Sequence, residues 1–119
     1  DIVNADKTDC PVLKKDGRES KQMSKMWVFF SPEKNIALYQ YRPRRKGQIA
    51  KEMLEGFSGY LQTDGYSGYN AVEDVTHVGC RTHVRRKWID CFVDKKPVDG
   101  SKSQKAFEYV EKMFALDLQ

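Results

Sequence analysis

A change of period divides this chain and limits the folds open to it. Up to Arg42 the apolar residues fall in strand-like runs: residues 1 to 14 (DIVNADKTDCPVLK), Lys25 to Ser31 (KMWVFFS) and Ile36 to Arg42 (IALYQYR). These runs are rich in β-branched and aromatic residues. The polar segment KKDGRESKQ, with its Asp16-Gly17 turn signal, separates the first two, and SPEKN makes a hairpin turn between the second and third. From Ile49 the spacing turns helical: Ile49, Met53 and Phe57 recur every fourth residue, with Gly56 as a C-cap candidate. Two further strands follow, Tyr60 to Asp64 and Val75 to Cys80, with a short helix or turn at Tyr66 to Ala71 between them. Helical stripes then return at Val84, Trp88 and Phe92, and at Phe107, Val110 and Phe114, the last extended by Met113. The loop from Lys95 to Ser103 lies between them. Three opening strands followed by alternation predict an α/β fold, a mixed five-stranded sheet with flanking helices. A ribonuclease-H-like sheet has this order (β-β-β-α-β-α-β-α), and in it the first and fourth strands are neighbours.

Composition narrows the class. At 119 residues, with 39% apolar and 32% charged residues, the chain is one globular domain or part of one. No apolar run approaches the roughly 20 residues that span a bilayer, so no membrane partner is expected. The three cysteines form no CxxC pair, which predicts a reducing, cytoplasmic setting rather than a disulfide framework. His77, Cys80 and His83 are spaced like zinc ligands, but an offset of three along a strand puts side chains on opposite faces. The chain opens without methionine at DIVNAD, which suggests a segment of something longer.

The chemistry concentrates in LQTDGYSGYN. Asp64 follows an apolar strand and precedes a glycine, where a strand emerges at a sheet edge. Asp6, in NADKT, has a similar setting on the first strand. Two strand-borne carboxylates from adjacent strands can hold one divalent cation; hard cations such as magnesium take oxygen ligands and retain water. Taken alone, Asp6 reads first as a solvated turn or cap residue, whereas Asp64 has the stronger case as a ligand, with an ordinary Asp-Gly turn as its alternative.

The net charge of +4 is mild, but the basic residues cluster. Arg42, Arg44, Arg45 and Lys46 form one group, and Arg85, Arg86 and Lys87, with Arg81 nearby, form another. Such patches suit a polyanion, but taken alone they read first as an ordinary solvated surface. Tyr66 and Tyr69, next to Asp64, are candidates for stacking on a nucleic-acid base or for core packing. His83 is expected to tie the fifth strand to its helix, and Trp27, Phe29, Trp88 and Phe92 to pack in the core.

In combination these segments resemble the insertion-sequence 66 transposase family. NADKT is similar to its Ala-Asp-Glu-Thr motif, KMWVFF to its Trp-centred strand, LQTDGYSGYN to its second-aspartate motif, and GCRTHVRRKW to its Cys-Trp-Ala-His-Val-Arg-Arg-Lys-Phe segment. The matches run in order from about Asn4 to Trp88. The resemblance implies a DDE-type enzyme using magnesium or manganese for DNA strand cleavage and strand transfer, with Asp6 and Asp64 as the first two acids. It implies transposon ends and target DNA as partners, a homo-oligomer in the full complex, and no small-molecule substrate. Lys7 stands where the family has Glu, and its charge would compete with a metal. Arg81 replaces the family's Trp. The third acid, a Glu, is expected beyond Gln119; within the chain Asp90, Glu108, Glu111 and Asp117 are alternatives. The expectation is therefore a single partial catalytic domain, residues 1 to 119, C-terminally truncated and inactive alone. The alternative is a basic DNA-binding module or a catalytically dead remnant.

Overall fold

A computed structural model describes residues 1–11, 23–42 and 47–118. The expected Asp16-Gly17 turn and the basic residues Arg44, Arg45 and Lys46 lie outside the described residues. The elements are β1 (Ile2–Pro11), β2 (Met23–Ser31), β3 (Ile36–Arg42), α1 (Gln48–Met53), β4 (Gly59–Thr63), a short 3-10 helix (Ser67–Ala71), β5 (Val75–Gly79), α2 (Arg81–Ile89) and α3 (Lys102–Asp117). Their order is the one the periodicity predicts. The chain divides into two compact units, Asp1–Val78 and Gly79–Gln119.

The first unit is built on a sheet of order β3-β2-β1-β4-β5. β1, β2 and β3 form an antiparallel meander, with Ala5 opposite Phe29, Lys7 opposite Trp27 and Trp27 opposite Gln40. The β2–β3 turn closes on the Asn35 N–H to Pro32 carbonyl bond at 3.3 Å, with Asn35 in the left-handed region at φ 50°; Asn tolerates that conformation better than most residues. β4 then joins β1 in parallel, with Ile2 opposite Tyr60, Val3 opposite Leu61 and Asn4 opposite Gln62.

The pleat decides which side chains are buried. Ala5, Trp27, Phe29 and Leu61 form one apolar layer, closed by Ile49 and Ala50 of α1, Leu54, Tyr69 of the 3-10 helix and Val72. Trp27 and Leu61 are fully buried, as is Tyr69 to within 1%. The rings of Trp27 and Phe29 lie nearly parallel with centroids 6.5 Å apart, and Tyr69 meets Trp27 edge-on at 5.6 Å. Offset and edge-to-face aromatic pairs add roughly 0.5–1.5 kcal/mol beyond the area they bury.

α1 is shorter than the Ile49-Met53-Phe57 stripe predicts. It ends at Met53, Leu54 is its C-cap, and Gly56 at φ 77° turns the chain away, so Phe57 packs on the core from outside the helix. The contact between α1 and the 3-10 helix depends on two glycines. A Cβ at Gly47 would lie 2.6 Å from the Gly68 carbonyl oxygen and 2.8 Å from its Cα. Neither atom is at the free end of a flexible side chain, so the approach excludes a larger residue at position 47.

The second unit is a helical hairpin. Ser101 caps α3 by accepting the Gln104 N–H at 3.1 Å, while the Gln104 side chain accepts the Gly100 N–H at 2.7 Å. This satisfies two backbone donors at the helix start, as a capping box does. The start of α2 meets the end of α3: Arg81 pairs with Asp117 and Arg85 with Glu111, and the Arg81 and Arg85 guanidinium groups sit over the rings of Phe114 and Phe107 at 5.4 and 5.1 Å. Phe92 packs edge-on against Phe107 at 5.2 Å. Arg85 therefore faces α3, whereas Arg86 and Lys87 are exposed. Arg81 packs its guanidinium on the Phe114 ring and adds the ion pair to Asp117. Val110 is buried, but Met113 is 48% exposed and does not extend the buried stripe. Trp88 is partly buried in α2.

Candidate metal centre

The β1–β4 register brings the two acids together. Asn4 lies opposite Gln62, so two more residues along each parallel strand lead to Asp6 and to Asp64, just past the end of β4. A carboxylate oxygen of Asp6 and one of Asp64 lie within 4.8 Å of each other. Sequence separation is irrelevant to this juxtaposition, because parallel pairing needs only a crossover connection between the strands.

Backbone donors orient both carboxylates. Asp64 Oδ1 accepts the Tyr66 N–H at 2.9 Å, closing an Asx-type turn around Gly65, which sits at φ 83°. The Gly65 N–H donates to Thr63 Oγ1 at 3.1 Å, and Thr63 is itself buried. A residue with a side chain would be strained at Gly65, so the Asp-Gly pair is required for the turn. Asp6 Oδ1 accepts the Lys7 N–H at 2.8 Å. Each carboxylate is thus held by one oxygen to the backbone.

The ammonium of Lys7 goes to Asp64, not to its sequence neighbour Asp6. Lys7 Nζ is 3.1 Å from Asp64 Oδ2, and its side chain is only 4% exposed. The reason is strand alternation: Lys7 shares the core face with Ala5 and Trp27. Its charge lies 3.9 Å from the centroid of the Tyr66 ring, 5.4 Å from Tyr69 and 5.7 Å from Trp27. Aromatic faces attract a cation at these distances. Tyr66 is half-buried and packs against Trp27 and Tyr69.

Tyr69 is buried in the same aromatic cluster. Burial above all, then the charges of Asp64 and Asp6 and the neighbouring Tyr66, hold its phenol well above the ordinary tyrosine range. The hydroxyl is buried without a hydrogen-bond partner among the described residues. At neutral pH it is an uncharged phenol.

The donor set fits a hard divalent ion. Two carboxylates offer oxygen ligands only, and magnesium is ordinarily held by one or two carboxylates with water filling the other positions. The buried ammonium on Asp64 Oδ2 opposes it. Among the other expected contacts, Arg42 lies 4.0 Å from Glu52, Arg85 is engaged by Glu111, and Arg86 and Lys87 are exposed on α2. His77 Nε2 lies 3.2 Å from the Val72 carbonyl oxygen. His83 is half-buried in α2, and Asp90 is the C-cap of that helix. The Lys7–Asp64 pair was the element hardest to anticipate; a lysine at a core-facing position opposite a tryptophan was its only signal.

The model of the IS66 transposase family matches residues 1–119. Two curated proteins of Sinorhizobium fredii are similar, both described as uncharacterized: y4qI, 28% identical over 109 residues, covering 76% of this chain and 20% of that protein, and y4hP, 22% identical over 102 residues, covering 74% and 18%. The chain thus spans about a fifth of the length of these relatives. Among solved structures, a chain of the simian T-cell lymphotropic virus intasome in complex with the PP2A regulatory subunit B56 gamma is similar over 92% of this chain and 46% of that one, with a TM-score of 0.50 at 12% identity. That likeness concerns the fold, which is the ribonuclease-H-like class expected from the element order.

Proposed function

Since the chain belongs to the IS66 family of transposases, we propose that Asp6 and Asp64 are two of the metal-holding acids of a DNA strand-cleavage and strand-transfer site. The observation that carries this is the parallel β1–β4 register, which ends in two carboxylates within 4.8 Å of each other. Bound there, magnesium or manganese would supply Lewis-acid activation of an attacking oxygen and charge stabilisation at the leaving one. The chain's own part is to hold the ligands. The Tyr66 N–H fixes Asp64 and the Lys7 N–H fixes Asp6.

The DNA partners are the transposon ends and target, acted on by a homo-oligomer of the full protein in the cytoplasm. Arg86 and Lys87 are exposed on α2 and suited to neutralising phosphates. No helix among the described residues is long and apolar enough to cross a membrane. A second reading, a DNA-binding remnant without chemistry, is favoured by one observation: the ammonium on Asp64 Oδ2. Manganese titration separates the two. The transposase reading predicts binding that weakens on Asp64→Asn; equal affinity in both proteins contradicts it.

A further inference from the structure

We propose that Lys7 is a resident counter-ion of the acid pair, holding Asp64 neutralised and setting a high threshold for divalent-ion loading. The proposal rests on the assignment of Asp6 and Asp64 as metal ligands. An ordinary surface lysine would move its charge into solvent when a metal arrived. Lys7 is held differently. Its side chain is 4% exposed, its Nζ donates to Asp64 Oδ2 at 3.1 Å, and the rings of Tyr66, Tyr69 and Trp27 surround the ammonium at 3.9, 5.4 and 5.7 Å. The rings favour a cation at this position, and Trp27 and Tyr69 are themselves immobilised in the core.

The geometry sets up a direct competition. Asp64 Oδ1 accepts the Tyr66 N–H and Oδ2 accepts from Lys7, so a metal taken by this carboxylate would share it with the ammonium. A divalent ion there would sit within a few ångströms of a fixed positive charge, in surroundings where such charges are poorly screened. A neutral side chain at position 7 removes that repulsion and leaves both carboxylates in place.

The test is calorimetric titration of manganese into the wild type, Lys7→Met, Lys7→Gln and Lys7→Arg, each with and without Asp64→Asn, after circular dichroism has established which variants fold. Met and Gln are expected to tighten binding by about tenfold or more. The gain should vanish with Asp64→Asn, and Arg should keep the weak affinity. Unchanged affinity in the folded Met and Gln variants, with Asp64→Asn still weakening the wild type, overturns the counter-ion role and leaves the metal site standing. Absence of manganese binding in every variant overturns both. A second measurement needs no variant. In the wild type, magnesium should shift the NMR signals of the Lys7 ε-methylene, which lie in the ring currents of Tyr66 and Trp27. Saturation of the acids without any such shift overturns the proposal.

Discussion

Lys7 and Trp27 face each other across the β1–β2 ladder, and that pairing brings a buried ammonium to the edge of the acid pair. The cluster that holds the hydrophobic core and the cluster that orients Asp64 share Trp27, Tyr66 and Tyr69. Stability and site geometry are therefore coupled in the first unit.

Trp27 is the clearest case. Its indole is fully buried against Phe29 and Tyr69. Trp27→Ala should cost about 3–5 kcal/mol, as large-to-small aromatic changes in cores do. Urea unfolding checks it; a loss below about 1 kcal/mol contradicts the packing described.

Gly47 supports the same core from the α1 side. A methyl group there meets Gly68 backbone atoms inside 3 Å. Gly47→Ala should destabilise by about 1–3 kcal/mol through overpacking, and at this N-cap position Ala is also less favourable than Gly. A melting temperature at or above that of the wild type contradicts the contact.

Tyr69 gives stability a pH dependence. Its native pKa is raised, chiefly by burial, while an unfolded tyrosine ionises near pH 10. The unfolded state then releases a proton that the native state keeps, so stability is intact below about pH 10 and falls as pH rises above it. Tyr69→Phe should remove this part of the alkaline loss. It should cost little at neutral pH, because the hydroxyl lacks a partner among the described residues. Superimposable alkaline stability curves for the two proteins refute the assignment.

Arg85 and Glu111 are each about 40% exposed, at 39% and 44%. Solvent screening limits such a pair, so a double-mutant cycle should give a coupling below about 1 kcal/mol. Arg86 and Lys87 should matter instead for DNA. Replacing both with Ala should reduce the salt slope of binding by about 2. An unchanged slope removes α2 from the phosphate contacts.

The strand order was legible because β-branched and aromatic runs, helical stripes and turn residues agreed with one another along most of the chain. β3 begins and ends where IALYQYR does. Agreement failed where a local feature overrode the period. Phe57 continues the α1 stripe by spacing, but Gly56 in the left-handed region had already ended the helix. Met113 fits the α3 stripe by number and faces outward. The convergence of Asp6 and Asp64 could be anticipated from neighbouring strands. The partner of Lys7 could not, because sequence adjacency to Asp6 suggested one acid while strand alternation and the Asp64 turn supplied another.

The proposed chemistry requires that Asp6 and Asp64 serve one ion. Calorimetric titration of manganese into the wild type, Asp6→Asn and Asp64→Asn at matched ionic strength tests it. A single shared site, weakened about tenfold or more by either substitution, is the predicted result. Manganese affinity left unchanged by both substitutions would contradict it.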